Sequence, residues 1–189
     1  MNLNPAKYVL NRFLLQRKWL IAKTRHFDLQ LKVRTDDVVG RHLYKYGVHE
    51  PATTDFLKNA LKFDDGDVVF DIGANIGWFS LIIDRLCGGN SVDIYSFEPD
   101  PTNFALLREN ISRNSATHIR AQQLAVAHVA DTLQLHLYGK SNLGRHSLLN
   151  IHEGETVDVK TVILDRFWEA QGLGTRTPRF IKWISSDLS

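Results

Sequence analysis

The chain has 189 residues and a hydrophobic content of 43%, which suits one domain with a sizeable core and argues against disorder. Its net charge of +2 comes from nearly balanced acids and bases, so no global electric field favours a nucleic acid partner. No apolar run approaches the ~20 residues of a membrane span, and the N-terminus lacks the apolar core of a secretory signal, so the sequence predicts a cytoplasmic location.

The first predicted element is a basic amphipathic helix that begins at Pro5 and ends at Lys23. Its apolar side chains are expected near one side, and they are Val9, Leu10, Phe13, Leu14, Leu20 and Ile21. The lysines and arginines that precede the first acidic residue of the chain are Lys7, Arg12, Arg17, Lys18, Lys23 and Arg25. Such a helix either docks on its own domain with a solvated basic face or lies on an anionic membrane surface. We favour docking and keep peripheral membrane contact as the alternative.

Two elements are predicted before the central part of the chain. Apolar and polar residues alternate from Phe27 to Val33, which predicts a strand with one buried face in a small β lid. Pro51 then opens a helix, because proline suits the first helical turn and the acidic Glu50 complements the helix dipole. Capping is the simpler role for Glu50. The alternative is that His49 or Glu50 contacts the substrate or a cofactor, and both are candidate catalytic residues.

A glycine-punctuated turn follows the apolar run Val68–Phe70 and precedes a segment with helical spacing, which predicts a strand, a tight loop and a helix. The loop does not fit a dinucleotide fingerprint, because the second and third required glycines fall on Asn75 and Trp78. It does not fit a Walker-type phosphate loop either, because no Gly-Lys-Ser/Thr closes it. The sequence therefore argues against these two phosphate-binding motifs.

A carboxylate at the strand end repels a pyrophosphate and attracts a cationic ligand, and Asp71 occupies that position. S-adenosylmethionine carries both an ammonium and a sulfonium. The glycines allow the backbone to approach a ligand closely, and the following helix presents its free N–H groups to the same place. The sequence thus predicts S-adenosylmethionine as the cofactor, bound by Asp71, Gly73, Ala74, Asn75 and Gly77.

A second anchor for that cofactor lies at the end of the next predicted strand, Val92–Glu98. Glu98 comes 27 residues after Asp71, a gap that fits one helix and one returning strand. Glu98, with Pro99 beside it, is therefore expected to emerge next to the glycine loop, where a carboxylate can accept both hydroxyls of a ribose. The simpler interpretation, an exposed acid at a strand end, is less consistent with the neighbouring loop.

The remaining elements are predicted from helix-capping residues and from the alternation of apolar and polar residues. Asp100 and Pro101 begin a helix, and 119–126 is predicted as the third strand of the sheet. Segments 132–138 and 156–162 alternate as added strands around a polar loop that contains His146. His146 is a candidate general base, although a surface histidine is the commoner case. Cys87 is interpreted as a packing residue, and no residue spacing suggests a metal site.

These motifs together resemble the FkbM family of S-adenosylmethionine-dependent methyltransferases over about residues 30 to 182. The matching stretches are Asp37 to Gly47, His49-Glu50-Pro51, Asp71 to Phe79, Phe97 to Pro101 with Asn103, and Leu164-Asp165. The resemblance implies an α/β fold with the doubly wound, Rossmann-like sheet of class I methyltransferases, preceded by the N-terminal helix and small β extension. It also implies that residues 124–126 lie beside the adenine ring, where the small Ala125 permits close approach.

The C-terminal residues depart from the family pattern. Arg179 to Lys182 begin as the family's fourth core strand does, but the usual Ile-Asp-x-Glu-Gly continuation is replaced by Trp183 to Ser189. The expectation is a truncated or frameshifted chain whose fourth strand is an exposed edge that favours self-association. Residues 1–50 are then the N-terminal extension, and residues 51–189 are a partial methyltransferase domain.

The resemblance implies methyl transfer from S-adenosylmethionine to a hydroxyl of a small molecule or sugar. The balanced charge predicts no nucleic acid partner, and the residue spacing predicts no metal. Two alternatives remain open at this stage. One is a cofactor-binding fragment without catalytic activity, which the altered C-terminal residues favour. The other is an NAD-binding oxidoreductase, which the glycine pattern disfavours.

Overall fold

The computed structural model describes residues 4–136 and 156–183, which form six α-helices and nine strands. The first half contains α1 (Asn4–Val9) with a π-helical continuation (Leu10–Leu14), β1 (Trp19–Lys23), β2 (Gln30–Arg34), α2 (Val38–Tyr46), α3 (Pro51–Ala60), β3 (Val68–Ile72) and α4 (Trp78–Cys87). The second half contains β4 (Asp93–Phe97), α5 (Pro101–Arg113), β5 (Ile119–Gln122), β6 (Ala125–Val126), β7 (Thr132–His136), β8 (Thr156–Val162), α6 (Leu164–Ala170) and β9 (Pro178–Trp183).

The main sheet has the strand order β5-β4-β3-β9, and all of its neighbouring strands are parallel. Helices α4 and α5 form the crossovers from β3 to β4 and from β4 to β5. Val69 and Ile94 pack with Ile83 of α4, whereas Phe70 and Phe97 pack with Phe167 of α6. Both faces of the sheet are therefore covered, which confirms the predicted α/β fold with a doubly wound sheet.

The predicted third strand, 119–126, is wrong as one element because the chain divides it between two sheets. Ile119–Gln122 extends the main sheet, whereas Ala125 and Val126 pair in parallel with β8 in the second sheet, β6-β8-β7. The division follows the apolar side chains, because Val126 packs on the Phe167 side of the main sheet while Ala125 packs with Leu135. A single continuous strand in the main sheet would not place Ala125 and Val126 in these two separate hydrophobic clusters.

The predicted N-terminal helix is also wrong beyond residue 14, because Trp19–Lys23 is a strand. Leu20 and Ala22 are buried, whereas Trp19, Ile21 and Lys23 are exposed, which is the period of two that a strand produces. This strand pairs antiparallel with β2 and so forms the predicted small β extension. The helical spacing had placed Leu20 and Ile21 on one side, but the pairing with β2 puts them on opposite faces.

The N-terminal helix docks on the domain as predicted, but through a different residue. Tyr8 is buried, its hydroxyl donates to the carbonyl oxygen of Thr35, and the Lys45 ammonium lies 4.5 Å from the centre of its ring. Of the apolar side chains predicted to share one side of the helix, Leu20 is buried and the others are exposed, with Phe13 at 66% and Leu14 at 74%.

Helix α2 is an element that the sequence analysis did not predict. The Asp37 carboxylate accepts from the Gly40 N–H at 2.7 Å at its start, and Gly47 ends it with the left-handed φ of 69°. Leu43 of this helix belongs to the same hydrophobic core as Leu57 of α3 and Phe79 of α4. The N-terminal extension therefore packs against the helices that carry the predicted cofactor site.

Strand β9 is at an edge of the main sheet among the residues described, and its Ile181 and Trp183 side chains are about half exposed. Self-association through this edge stays a prediction. Within the same residues, none of the helices is long and apolar enough to cross a bilayer.

Candidate functional site

The glycine loop, residues 73–77, crosses the carboxyl ends of β3 and β4. Gly73 and Gly77 have φ of 74° and 92°, a backbone conformation that side chains of L-residues rarely adopt. The N–H groups of Gly73 and Ala74 both donate to the carbonyl oxygen of Phe97, at 3.0 and 2.9 Å. These two hydrogen bonds hold the loop at the end of β4, where the chain continues into Glu98.

Glu98 is a buried carboxylate that accepts from backbone groups on both sides. Its Oε2 accepts from the Asn75 N–H at 2.7 Å, and its Oε1 accepts from the Asp100 N–H at 3.0 Å. Burial raises the pKa of Glu98 to about 7, and the two backbone N–H groups partly offset this rise. Since a carboxylate has about four acceptor positions, these two bonds leave capacity for the two hydroxyls of a ribose.

Asp71 is fully buried and its carboxylate is engaged within the protein. Its Oδ2 accepts from the Ser80 hydroxyl at 2.5 Å, and its Oδ1 lies 2.6 Å from the Lys182 ammonium. Lys182 also donates to the carbonyl oxygen of Gly73 at 3.2 Å. Asp71 therefore supports the loop and the start of α4. Its predicted contact with the cofactor's cationic groups stays a prediction, and the Lys182 charge at 2.6 Å offsets the attraction on which that prediction rested.

Lys182 is the site residue that sequence reasoning missed. In the sequence it stands out only as the last residue before the departure from the family pattern. The available signal was a lysine between the apolar residues Ile181 and Trp183, and the pairing of β9 with β3 places Lys182 opposite Asp71. An unpaired lysine in that position would carry a large desolvation cost, so a buried acid was the expected partner.

His49 lies next to the glycine loop, because the Trp78 indole N–H donates to the His49 carbonyl oxygen at 2.9 Å. Its Nε2 lies 3.4 Å from the Glu50 carboxylate, and its Nδ1 is buried without a hydrogen-bond partner among the described residues. Burial is the main cause that lowers the pKa of His49, and the Lys182 charge adds to it. The imidazole is therefore neutral near pH 7, with Nδ1 able to accept a proton when Nε2–H faces Glu50.

Glu50 does not cap α3 with its side chain, so the predicted capping role is wrong. It occupies the N-cap position with φ 45° and ψ 69°, and its carboxylate accepts from the Thr53 hydroxyl at 3.2 Å instead of a helix N–H. A left-handed conformation costs a non-glycine residue on the order of 1–3 kcal/mol and occurs often at functional sites. Here it turns the carboxylate toward His49.

Asp37 provides a second buried polar atom without a partner. Its Oδ2 caps α2, but its Oδ1 makes no hydrogen bond within the described part of the chain. Burial raises the pKa of Asp37, and the His49 charge is among the influences that lower it. Asp37 and His49 are therefore close enough for each to influence the pKa of the other. Each also has one buried polar atom without a hydrogen-bond partner among the described residues.

The other predicted site residues have different surroundings. Ala74 is buried in the glycine loop, and Pro99 is half-buried beside Glu98. Ala125 packs with Leu135 and Val159 in the second sheet, and its place beside an adenine ring stays a prediction. His146 lies outside the described residues.

The site thus combines two arrangements at the carboxyl edge of the main sheet. The first is the glycine loop with Glu98, which offers a backbone without bulky side chains and a buried acceptor for hydroxyl donors. The second is His49 with Asp37, which offers a neutral proton acceptor in a partly enclosed place. Together they suit a bound nucleoside beside a second molecule that carries a hydroxyl group.

The family model described as "Methyltransferase FkbM domain" matches residues 71–183. Among curated proteins, the chain is 38% identical over 88 residues to the 31-O-demethyl-FK506 methyltransferase FkbM of Streptomyces tacrolimicus, covering 47% of this chain and 33% of that protein. The chain thus spans about a third of the length of the curated relative that it matches.

Two solved structures are also similar to this chain. Methyltransferase FkbM from Methylobacillus flagellatus KT matches at 18% identity with a TM-score of 0.45, covering 70% of this chain and 29% of that chain. M. jannaschii TYW2 in complex with AdoMet matches at 15% identity with a TM-score of 0.42, covering 61% of this chain and 53% of that chain.

Proposed function

Because the chain belongs to the FkbM methyltransferase family, we propose that it transfers a methyl group to a hydroxyl oxygen of a small molecule or sugar. The cofactor of a methyltransferase of this family is S-adenosylmethionine, as the sequence predicted. This membership leaves the oxidoreductase alternative without support. The observation that carries the proposal is the buried Glu98 carboxylate, whose hydrogen bonds within the described residues come from backbone N–H groups of the adjoining loop and turn.

The residues present fit the nucleoside part of the cofactor. Glu98 would accept the ribose hydroxyls, and Gly73 and Gly77 would let the loop backbone approach the ligand. Asp71 and Lys182 would hold that backbone in place, because Lys182 donates to the Gly73 carbonyl oxygen and pairs with Asp71. When bound, S-adenosylmethionine supplies an electrophilic methyl group on its sulfonium.

His49 is the proposed acceptor of the hydroxyl proton. Its Nδ1 is buried and without a partner, so a hydroxyl that donates to it would satisfy an otherwise costly polar atom. The lowered pKa keeps the imidazole neutral and able to take the proton at physiological pH. Asp37 would stabilise the imidazolium that results, because its charge favours the protonated ring.

Replacing His49 by glutamine should lower the rate of methyl transfer by a factor of roughly 10² or more, which is typical when a general base is removed. Glutamine keeps a polar side chain of similar length but cannot take the proton. The measurement is release of S-adenosylhomocysteine with a panel of small alcohols and sugars, followed by kcat with the acceptor that supports turnover. The dissociation constant for S-adenosylmethionine is expected to stay near its wild-type value.

His128 is an exposed histidine on another part of the chain and provides the matched control. Replacing His128 by glutamine should leave kcat unchanged. Equal rates for the His49 variant and the wild-type chain would remove His49 from the proposed reaction. If no hydroxyl acceptor supports turnover although the chain binds S-adenosylmethionine, the fragment without catalytic activity becomes the better account.

A further inference from the structure

The N-terminal segment, residues 9–21, exposes a concentration of large apolar side chains. The exposed fractions are Val9 49%, Leu10 44%, Phe13 66%, Leu14 74%, Leu15 52%, Trp19 43% and Ile21 39%. Isolated exposed apolar residues are ordinary on protein surfaces, but seven within 13 consecutive residues are not. Such a concentration marks a surface that another apolar phase or molecule covers.

The charged residues of this part of the sequence are all basic. Lys7, Arg17, Lys18 and Lys23 are exposed, and the first acidic residue of the chain is Asp28. Residues 28–189 contain 17 bases and 21 acids, a net charge of −4, so the positive charge of the chain is concentrated next to the exposed apolar side chains. A complementary surface would therefore be both apolar and anionic.

Hydrogen bonds attach the inner side of this segment to Thr35, the residue after β2. The Arg12 guanidinium donates to the Thr35 hydroxyl at 3.0 Å, and the Thr35 N–H donates to the Lys18 carbonyl oxygen at 3.0 Å. The Tyr8 side chain is buried and packs in the hydrophobic core. These contacts hold the segment against the domain and leave its apolar side chains on the outer surface.

We propose that the N-terminal segment is a docking surface for an anionic lipid bilayer. Its apolar side chains would enter the boundary between headgroups and acyl chains, and its bases would contact the lipid phosphates. Trp19 suits this boundary because an indole is apolar with one polar group. A symmetric contact with a second copy would bring two basic segments together, and nucleic acid would leave Phe13 and Leu14 in water, so a bilayer fits better than either.

The experiment is flotation of the 189-residue chain with vesicles of phosphatidylcholine alone and of phosphatidylcholine mixed with phosphatidylglycerol. Binding is expected to the mixed vesicles and to weaken with added salt. Replacing Arg17 and Lys18 together by glutamine should weaken binding roughly 25-fold, at about fivefold for each charge. Replacing Phe13 and Leu14 together by serine should weaken it by more than a factor of about ten.

Phe56 and Lys58 provide matched controls, because both are exposed on α3 and Phe56 is 58% exposed. Replacing Phe56 by serine and Lys58 by glutamine should leave vesicle binding unchanged, and thermal melting should show that all variants remain folded. The proposal is overturned if the folded wild-type chain does not float with the mixed vesicles, or if it binds both kinds of vesicle equally. It is also overturned if the serine variant dissociates an oligomer in sedimentation but leaves vesicle binding unchanged.

Discussion

Replacing Asp71 by alanine is expected to lower the free energy of unfolding by about 3–5 kcal/mol, because it leaves a buried ammonium without its counter-charge. Lys182 is 8% exposed and its side chain lies 2.6 Å from Asp71 Oδ1. Ser80 would also lose its acceptor, and its hydroxyl would keep only Ser96, at 2.8 Å. The change would be measured as the shift of the urea midpoint at constant slope.

Two further variants separate the ion pair from simple loss of packing. Replacing Lys182 by methionine should destabilise the chain by a similar amount, since Asp71 is then the unpaired charge. The variant that carries both changes, Asp71→Ala and Lys182→Met, should lose less stability than the sum of the two single losses, because neither charge remains buried alone. Replacing Glu109 by alanine, which removes the more exposed partner of Lys32 and Arg113, should cost under about 1 kcal/mol for each pair. A cost that small for the Asp71 variant would mean that the buried pair does not contribute as described.

Replacing Gly73 by valine is expected to weaken S-adenosylmethionine binding by at least a factor of about 100. The backbone at residue 73 has φ 74°, which a β-branched residue adopts only with considerable strain. Relief of that strain would move the loop away from Phe97 and Glu98, to which it is hydrogen bonded. Binding would be measured by calorimetry, and far-UV circular dichroism should stay near the wild-type spectrum.

Gly88 offers a matched control, because it also has a positive φ, 60°, and a Cβ added there would contact nothing within 4 Å. Replacing Gly88 by valine introduces comparable backbone strain at the end of α4, far along that helix from the glycine loop. It should lower stability and leave cofactor affinity unchanged. If the two variants affect binding equally, the glycine loop has no particular role in the site.

The central part of the site was predictable from sequence because it depends on local features. An apolar run, two glycines and a following helical pattern determine the strand, loop and helix around Asp71 with little help from the rest of the chain. The position of Glu98 followed from one further rule, that parallel strands present their carboxyl ends at the same edge. Both predictions use only residues that lie within about 30 positions of one another in the sequence.

The features that were missed depend on contacts between distant parts of the chain. Lys182 joins the site because β9 pairs with β3, more than 100 residues away. The spacing of Leu20 and Ile21 suits a helix, but pairing with β2 makes that segment a strand. Residues 119–126 read as one strand, and only the presence of a second sheet divides them. In each case tertiary contacts outweigh the local pattern.

The raised pKa of Glu98 has a consequence for cofactor binding. Burial shifts this pKa from 4.5 to about 7, so the carboxyl is protonated in much of the free protein below pH 7. Ribose hydroxyls that donate to the carboxylate favour its ionised form, so binding would release a proton. Affinity should therefore rise as the pH increases toward 7 and level off above it. Between pH 6 and pH 8 the expected increase is about tenfold.

The most direct test of the account is calorimetric titration of S-adenosylmethionine into the wild-type chain and the Glu98→Ala variant at pH 6 and pH 8. One binding site is expected, with tighter binding by the wild-type chain at pH 8 than at pH 6. The variant should lose roughly 1.5–3 kcal/mol of binding free energy at pH 8, the range for hydrogen bonds to a charged group, and most of the pH dependence. An unchanged affinity in the variant at both pH values, or no binding by the folded wild-type chain, would contradict the proposed site.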